Sequence, residues 1–302
     1  MLGCPRCRTP WADGATACGA CGFGAVAHGG VLDLFLDRPG GEDAVTPRVR
    51  AFYEDRPFPD YRADDDRGAL LRRGRASGFT RALDDEIPPG ASVVELGCGT
   101  GQLGLFLALA GRRVLGVDLT LASLQVAEAF RARAGLSSAR LVRGNLFAPP
   151  VVPGSADVVI CSGVLHHTGD PEAGFRSAVS LVRPGGYVVV GLYNRWGRLL
   201  LPFLRGRHRA RATDRRGLAW YADQHEHPHE SRHTVAEVLG WFSAAGVSFV
   251  SARPGIVPGV GEGPLFKESD PGGGFGQLMA QVGWLGRAAD GGLFVMVGRV
   301  SP

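Results

Sequence analysis

A glycine-rich segment at residues 93–101 is the part of the sequence best suited to binding a small molecule. It follows a β-branched run and precedes a helical pattern, and its glycines alternate as Gly97, Gly99 and Gly101. Glycine lets the backbone approach a ligand where a Cβ atom would collide. Gln102 stands where the dinucleotide fingerprint needs its last glycine, which argues against NAD. Glu95 instead suits a ligand that carries an ammonium group and a sulfonium.

Two polar residues stand where the following strands are predicted to end. Asp118 ends the second strand, and its carboxylate there can accept hydrogen bonds from both hydroxyls of a ribose. Asn145 follows the third strand, at the place where an adenine ring would be recognised. Together with the glycine segment, these residues indicate a site for a nucleoside-containing ligand.

The elements that must position these residues are strands and helices in alternation. Between residues 91 and 193, short β-branched runs alternate with longer helical patterns, which predicts a parallel sheet. Further strands at 247–251 and 293–300 complete an α/β fold with a doubly wound, seven-stranded, mainly parallel sheet. The carboxyl ends of its strands meet at one edge, where ligands of such folds bind.

These motifs, in this order, resemble those of the class I methyltransferases that use S-adenosylmethionine, over about residues 90–193. In that family the Glu-x-Gly-x-Gly-x-Gly loop holds the methionine part of the cofactor, an acidic residue after strand two binds ribose, and the residue after strand three binds the adenine amino group. The resemblance implies a Rossmann-like methyltransferase fold with S-adenosyl-L-methionine as cofactor. Asn145 departs from the commoner Asp, but its amide oxygen can accept the same hydrogen bond. The expected cofactor-binding residues are Glu95, Gly97, Cys98, Gly99, Gly101, Asp118, Leu119, Asn145, Leu146 and Ser162.

Four of the six cysteines form a compact array near the N-terminus. Cys4 and Cys7 make one Cys-x2-Cys pair, and Cys18 and Cys21 make a second pair after a gap of ten residues. Two such pairs in Gly/Pro-rich turns match the knuckles of a tetrahedral Zn²⁺ site. Disulfide pairing is the weaker alternative, because nothing indicates an oxidising compartment. Residues 1–30 have few large apolar side chains, so the metal is expected to hold a zinc ribbon together.

Candidate catalytic residues lie on the same edge of the sheet. Methyl transfer from a sulfonium is an in-line displacement, so an enzyme contributes positioning and, for weakly acidic nucleophiles, proton removal. His166 and His167 follow the fourth strand, and Tyr193 ends the fifth. His229 belongs to a segment rich in His and Glu, residues 225–233, for which a metal site, a catalytic lid and a set of loop anchors compete. For the two adjacent histidines the alternative is a structural role.

The chain is predicted to comprise three parts. A zinc-ribbon-like module spans residues 1–36, a linker and helical cap span 37–89, and a class I methyltransferase domain spans 90–302. Two insertions, at 194–233 and 254–291, interrupt the last part. The first of them is longer than ordinary loops and should contain helix of its own.

Charge and composition say little about the partner. The formal net charge is +4 and nearly all basic residues are Arg, with six of them concentrated at residues 205–216. That cluster either binds an anionic partner or forms a solvent-exposed surface of a helix or turn. No stretch approaches the roughly 20 uncharged apolar residues that a membrane helix needs, and the N-terminus lacks the apolar core of a signal peptide. We therefore expect a cytoplasmic protein without a membrane span; the sequence does not define the oligomeric state.

The function expected from these features is S-adenosylmethionine-dependent methyl transfer (EC 2.1.1.-) to a small-molecule acceptor. A first alternative is an RNA methyltransferase, acting on rRNA or tRNA, that docks through the zinc ribbon and the Arg cluster. A second alternative is a non-catalytic binding protein that keeps the cofactor fold as a scaffold. The intact Glu95, glycine segment and Asp118 argue against the second alternative.

Overall fold

The structure of the chain is a computed structural model that describes residues 1–38, 41, 44–59, 61–62, 64–259, 261–286 and 291–302. Within these ranges the chain forms nine strands and ten α-helices. The strands are β1 (Val26–His28), β2 (Val31–Asp33), β3 (Ser92–Leu96), β4 (Arg113–Asp118), β5 (Ala139–Arg143), β6 (Ala156–Ser162), β7 (Val182–Tyr193), β8 (Val247–Arg253) and β9 (Leu293–Val300). The helices are α1 (Thr46–Asp55), α2 (Arg67–Ala76), α3 (Gly78–Glu86), α4 (Gln102–Ala108), α5 (Leu121–Arg133), α6 (Pro171–Val179), α7 (Leu201–Arg211), α8 (Arg215–His225), α9 (Val235–Ala244) and α10 (Gly274–Gly283).

The seven predicted strands form one sheet in the order β5-β4-β3-β6-β7-β9-β8. The first five run parallel, and β9 lies antiparallel between β7 and β8. The predicted doubly wound, mainly parallel fold is therefore confirmed. The strand order reverses between β3 and β6, and this reversal opens a crevice at the carboxyl ends of both strands.

Packing on both faces of the sheet explains the apolar runs. Every residue of β3 is buried, as is typical of a parallel strand covered by helices on two sides. Glu95 is the one charged residue in that strand. A carboxylate at such a position costs free energy unless it is paired or hydrogen-bonded, so Glu95 calls for a functional explanation.

The N-terminal module extends the sheet instead of standing apart from it. β1 and β2 form an antiparallel hairpin, and β2 also pairs in parallel with β5. The sheet therefore has nine strands and not the expected seven. Without β2, the edge of β5 would expose unpaired backbone N–H and C=O groups.

The cap and the insertions supply helices around the crevice. The cap contributes α1, α2 and α3, and α1 ends just before Pro57. The first insertion contains α7 and α8, and the second contains α10. Parts of the predicted linker (39–40, 42–43), cap (60, 63) and second insertion (260, 287–290) lie outside the described residues. Among the described helices, none has the length and apolarity that a membrane crossing requires.

Candidate active site

A cavity of about 670 Å³ lies at the carboxyl ends of the central strands. The loops that follow β3, β4, β5 and β6 form one side of it. The cap, together with α8, covers the other side. Most of the lining is apolar, and it includes Phe58, Phe79, Phe147, Trp220 and Leu293.

The glycine loop forms the wall nearest to β3. Gly97 and Gly99 have φ angles of 69° and 52°, which side-chain-bearing residues rarely adopt. A Cβ atom at Gly97 would collide with the Val164 side chain, and one at Gly99 would collide with the carbonyl oxygen of Phe58. The loop therefore needs glycine both for its conformation and for its close contact with the cap.

Glu95 places a carboxylate in this wall. Its side chain is buried, and Oε2 accepts a hydrogen bond of 2.8 Å from the Gly104 backbone N–H. Burial raises the pKa of this carboxyl group to about 8. No cationic side chain in the described part of the chain forms an ion pair with Glu95. A positively charged ligand group would supply the missing partner.

Asp118 connects the end of β4 to the glycine loop. Its Oδ2 accepts a hydrogen bond of 2.7 Å from the Gly99 N–H, and Oδ1 accepts from the N–H and hydroxyl of Thr120 at 2.8 and 2.7 Å. Burial raises the pKa of Asp118, while these bonds act in the opposite direction. The carboxylate is thus held rigidly beside the cavity.

Asn145 lies in the cavity wall with both ends of its amide engaged. Its Oδ1 accepts a hydrogen bond of 3.0 Å from the Phe147 N–H, and its Nδ2 donates to the Leu36 carbonyl at 3.2 Å. A carbonyl oxygen has two lone pairs, so Oδ1 can accept one more bond. The expected contact with adenine remains a prediction.

Nine of the ten residues predicted to bind the cofactor line the cavity. The exception is Gly101, which lies behind the wall as the N-terminal cap of α4, with a φ angle of 73°. Its role is to start that helix in a left-handed conformation, which glycine adopts without a Cβ clash.

His167 and Tyr193 also line the cavity. The His167 Nδ1 lies 2.9 Å from the carbonyl oxygen of His229. Because a carbonyl only accepts, Nδ1 carries the hydrogen and Nε2 keeps the lone pair. This Nε2 is buried and has no hydrogen-bond partner among the described residues. Burial lowers the pKa of His167, so the ring is a neutral base.

The side chains of His166 and His229 do not line the cavity, contrary to expectation for catalytic residues. His166 is fully buried, its ring stacks on Tyr193 at a centroid distance of 3.7 Å, and burial lowers its pKa well below the ordinary value. The His229 Nε2 lies 3.1 Å from the Thr168 carbonyl oxygen, and the His229 backbone carbonyl accepts the hydrogen bond from His167 Nδ1. Both residues support His167 and Tyr193 from behind.

Asp223 is a site residue that sequence reasoning missed. Its carboxylate is buried and accepts hydrogen bonds from the hydroxyls of Tyr53 at 2.6 Å and Tyr193 at 3.3 Å. The neighbouring Gln224 donates to the Tyr193 oxygen at 2.7 Å. Three elements, α1, β7 and α8, thus meet at one polar cluster in a mostly apolar cavity. The only local signal was that Asp223 and Gln224 directly precede the segment 225–233.

That His-rich segment anchors its loop. Glu230 pairs with the buried Arg198, and His233 contacts Glu237 at 2.8 Å. The His227 ring packs on His167 at a centroid distance of 3.6 Å. In the described part of the chain, the side-chain groups close enough to share a metal ion are the N-terminal cysteines alone. These contacts favour the loop-anchor interpretation over a metal site.

The four N-terminal cysteines converge. Their sulfur atoms lie within 4.8 Å of one another, with Cys4–Cys21 and Cys7–Cys18 separations of 3.5 Å. A tetrahedron with Zn–S bonds of about 2.3 Å has S···S edges of about 3.8 Å, whereas a disulfide needs about 2.05 Å. All four are free thiols. Their donor set and spacing fit a metal ion.

Residues 94–190 match the family model of a methyltransferase domain. The ubiquinone biosynthesis O-methyltransferase of Cupriavidus pinatubonensis is 38% identical over 107 residues, which are 35% of this chain and 43% of that relative. The enzyme of the same name from Chromobacterium violaceum is 38% identical over 107 residues, with 35% and 46% covered. The chain thus spans less than half the length of these curated relatives.

Solved structures extend the similarity of the fold beyond that segment. The magnesium protoporphyrin IX methyltransferase of Synechocystis PCC 6803 is 18% identical and has a TM-score of 0.50; the alignment covers 85% of this chain and 100% of that one. An S-adenosylmethionine-dependent methyltransferase of Mesorhizobium loti is 19% identical with a TM-score of 0.50, covering 75% and 99%. The chain has the fold of the class I methyltransferases.

Proposed function

We propose that this chain is an S-adenosylmethionine-dependent methyltransferase that methylates a small-molecule acceptor. The observation that carries the proposal is the arrangement within one cavity. Glu95, the glycine loop, Asp118 and a buried neutral base, His167, all line this cavity. The match of residues 94–190 to a methyltransferase domain supports the same conclusion.

The residues around the glycine loop fit this cofactor. Glu95 offers a negative charge to the ammonium of the methionine part, and Asp118 offers an acceptor to the ribose hydroxyls. The glycine loop allows the close backbone approach that a flat, extended ligand requires. When bound, the cofactor supplies an electrophilic methyl group on a sulfonium.

We propose His167 as the base that accepts the proton of the acceptor. Its Nε2 carries the lone pair, and its Nδ1–H is held by the His229 carbonyl. The charge of Asp223 favours the imidazolium that forms after proton transfer. The names of the curated relatives support oxygen as the methylated atom, and the apolar lining supports a small, mostly apolar hydroxyl compound.

RNA is a less favoured acceptor. The N-terminal module that was expected to dock RNA is part of the central sheet through β2. The Arg cluster lies on α7 and at the start of α8, and the side chains of Arg215 and Arg216 are outside the described residues. The curated relatives are named for a small-molecule pathway.

Calorimetric titration with S-adenosylmethionine tests the cofactor assignment. We expect saturable binding to the wild type and an about 10- to 100-fold higher Kd for Asp118→Ala, because a hydrogen bond to a charged group contributes about 1.5–3 kcal/mol. Asp157→Ala is the matched control, since Asp157 lies at the opposite end of β6 and pairs with Arg183. Absence of binding, or equal Kd values for the wild type and Asp118→Ala, would contradict the assignment.

We further propose that the four cysteines hold one structural Zn²⁺. The purified protein should contain zinc at a ratio of about one per chain, as four thiolates complete a tetrahedral site. The Cys4→Ser/Cys7→Ser variant should lose it, while Cys161→Ser, which changes a buried cysteine of β6, should keep it. Elemental mass spectrometry measures both. Equal zinc content in the two variants would refute the site.

A further inference from the structure

Residues 144–152, in the loop between β5 and β6, lie between the cavity and the N-terminal module. Gly144, Asn145, Leu146 and Phe147 line the cavity with the front of this loop. The back of the loop contacts the module. We refer to residues 144–152 as the adenine-side loop, because the family resemblance places the adenine there.

The first residues of the chain hold the far end of the adenine-side loop by three hydrogen bonds to its backbone groups. The contacts are Gly3 N–H to Pro150 O at 3.0 Å, Val152 N–H to Met1 O at 2.8 Å, and Arg8 Nη1 to Pro149 O at 3.1 Å. A Cβ atom at Gly3 would lie 2.8 Å from the Val152 nitrogen, so the two segments are in closest contact. If residues 1–8 moved away, this end of the loop would lose these three hydrogen bonds.

The strand β2 holds the near end. The Asp33 carboxylate pairs with Arg143, the last residue of β5, at 2.7 Å. The Leu34 N–H donates to the Arg143 carbonyl at 2.9 Å, and Asn145 donates to the Leu36 carbonyl at 3.2 Å. The module is therefore bound to both ends of the adenine-side loop by hydrogen bonds and an ion pair.

The module itself has a very small core. Its buried apolar cluster consists of five side chains, of which two are metal-site cysteines: Cys4, Trp11, Cys18, Phe23 and Leu34. A core of this size is usually too small to hold a segment of some 35 residues by itself without a metal or disulfide, so the pairing of β2 with β5 is the other support of the module. Zn²⁺ bound to the four sulfurs would supply that stability.

We propose that metal binding at the four cysteines increases the affinity of the cavity for S-adenosylmethionine, because the metal-stabilised module holds the adenine-side loop in its binding conformation. This inference rests on the cofactor and zinc proposals above. When the module loosens, binding must also order the loop, so part of the interaction free energy is lost. The module is thus a positioning element for the cofactor site and not a docking arm for a distant partner.

The test compares S-adenosylmethionine affinity in the full-length zinc-loaded protein with that after chelation of the metal. We expect the Kd to rise about 5- to 150-fold, the range of ordinary coupling between sites. Zinc content and far-ultraviolet circular dichroism are recorded on the same samples. A metal-free protein that stays folded and keeps the wild-type Kd would overturn the inference.

A second variant decides the question where metal-free protein unfolds. Arg8→Ala/Asp33→Ala removes two side-chain contacts to Pro149 and Arg143 but leaves all four cysteines in place. It should retain zinc and still show a raised Kd. Arg140→Ala is the control, because Arg140 contacts the module at Asp13 through an exposed ion pair away from the loop. Equal Kd values for the double variant and this control would refute the inference.

Hydrogen exchange separates this inference from the cofactor assignment. If the zinc-loaded protein binds no S-adenosylmethionine, the proposed cofactor is wrong. The coupling is then read from the backbone amides of residues 144–152. Faster exchange of these amides after metal removal, with the amides of β7 unchanged, supports the coupling, and unchanged exchange throughout contradicts it.

Discussion

Replacing His167 by alanine is expected to lower kcat about 10²- to 10⁴-fold, the usual contribution of a general base. The Kd for S-adenosylmethionine should change little, because His167 is not among the residues proposed to hold the cofactor. The fall in kcat is expected because the variant loses the lone pair on Nε2, which is buried and has no hydrogen-bond partner among the described residues. Transfer of labelled methyl groups to a panel of phenols and catechols provides the assay.

Chemical rescue distinguishes a base from a packing residue. Added imidazole should restore part of the activity of His167→Ala, since a free ring can occupy the vacated space and accept the proton. Restoration would not follow if His167 only supported the fold. Loss of S-adenosylmethionine binding in the same variant would equally count against a role confined to proton transfer.

The pH dependence follows from the direction of the His167 shift. Burial lowers its pKa below the ordinary value of 6.5, and only the neutral ring accepts a proton. At saturating S-adenosylmethionine, kcat should therefore be level above pH 6.5 and fall only on the acid side of it. Asp223→Asn removes a charge that raises the His167 pKa, so the acid limb should move to still lower pH. A shift toward higher pH would contradict the assignment.

The affinity for S-adenosylmethionine should increase about tenfold per pH unit as pH rises toward the pKa of Glu95. That pKa is about 8 in the free protein, so most molecules carry a protonated carboxyl group at neutral pH. The ammonium of the ligand prefers the ionised carboxylate, and binding must therefore release a proton. From pH 5.5 to 7.5 this amounts to about 100-fold, and it levels off near pH 8, where an α-ammonium begins to deprotonate.

Two controls isolate this effect. Glu95→Gln keeps an acceptor for the Gly104 N–H but cannot ionise, so its affinity should be weaker and nearly independent of pH over that range. Methylthioadenosine lacks the amino-acid part and should bind the wild type without the slope. Calorimetry in buffers of different ionisation enthalpy counts the released proton directly. The same slope in Glu95→Gln as in the wild type would rule out Glu95 as the titrating group.

Most of the cavity wall that we propose to hold the cofactor could be predicted from the order of local patterns. A β-branched run, a glycine turn and a helical pattern place Glu95 and the glycines at a strand end, and the next strand places Asp118. In a parallel sheet all carboxyl ends face the same edge, so the sites along the chain converge without further information. The cysteine spacing works in the same way, because its geometry is local.

The residues that we propose to face the methyl acceptor could not be predicted in this way. Tyr53 and Asp223 are 170 residues apart and meet only because α1 and α8 pack over the same crevice. The hydrophobic periodicity of the sequence does not predict a contact between such distant residues. The sequence does not distinguish the roles of the adjacent His166 and His167. In the structure, the His166 ring is buried against Tyr193, whereas His167 lies in the cavity wall.

By itself, therefore, the sequence determined the fold class, the cavity wall at the ends of the central strands and the cysteine cluster, since each depends on patterns within a few residues or on the shared direction of parallel strands. Tertiary structure alone decided that β2 joins β5, that the N-terminal module grips the adenine-side loop, and that Asp223 joins Tyr53 beside His167. These are long-range contacts. Their free energy comes from side chains and backbone groups that are distant in the chain. Local sequence patterns do not specify which of these distant groups will be in contact.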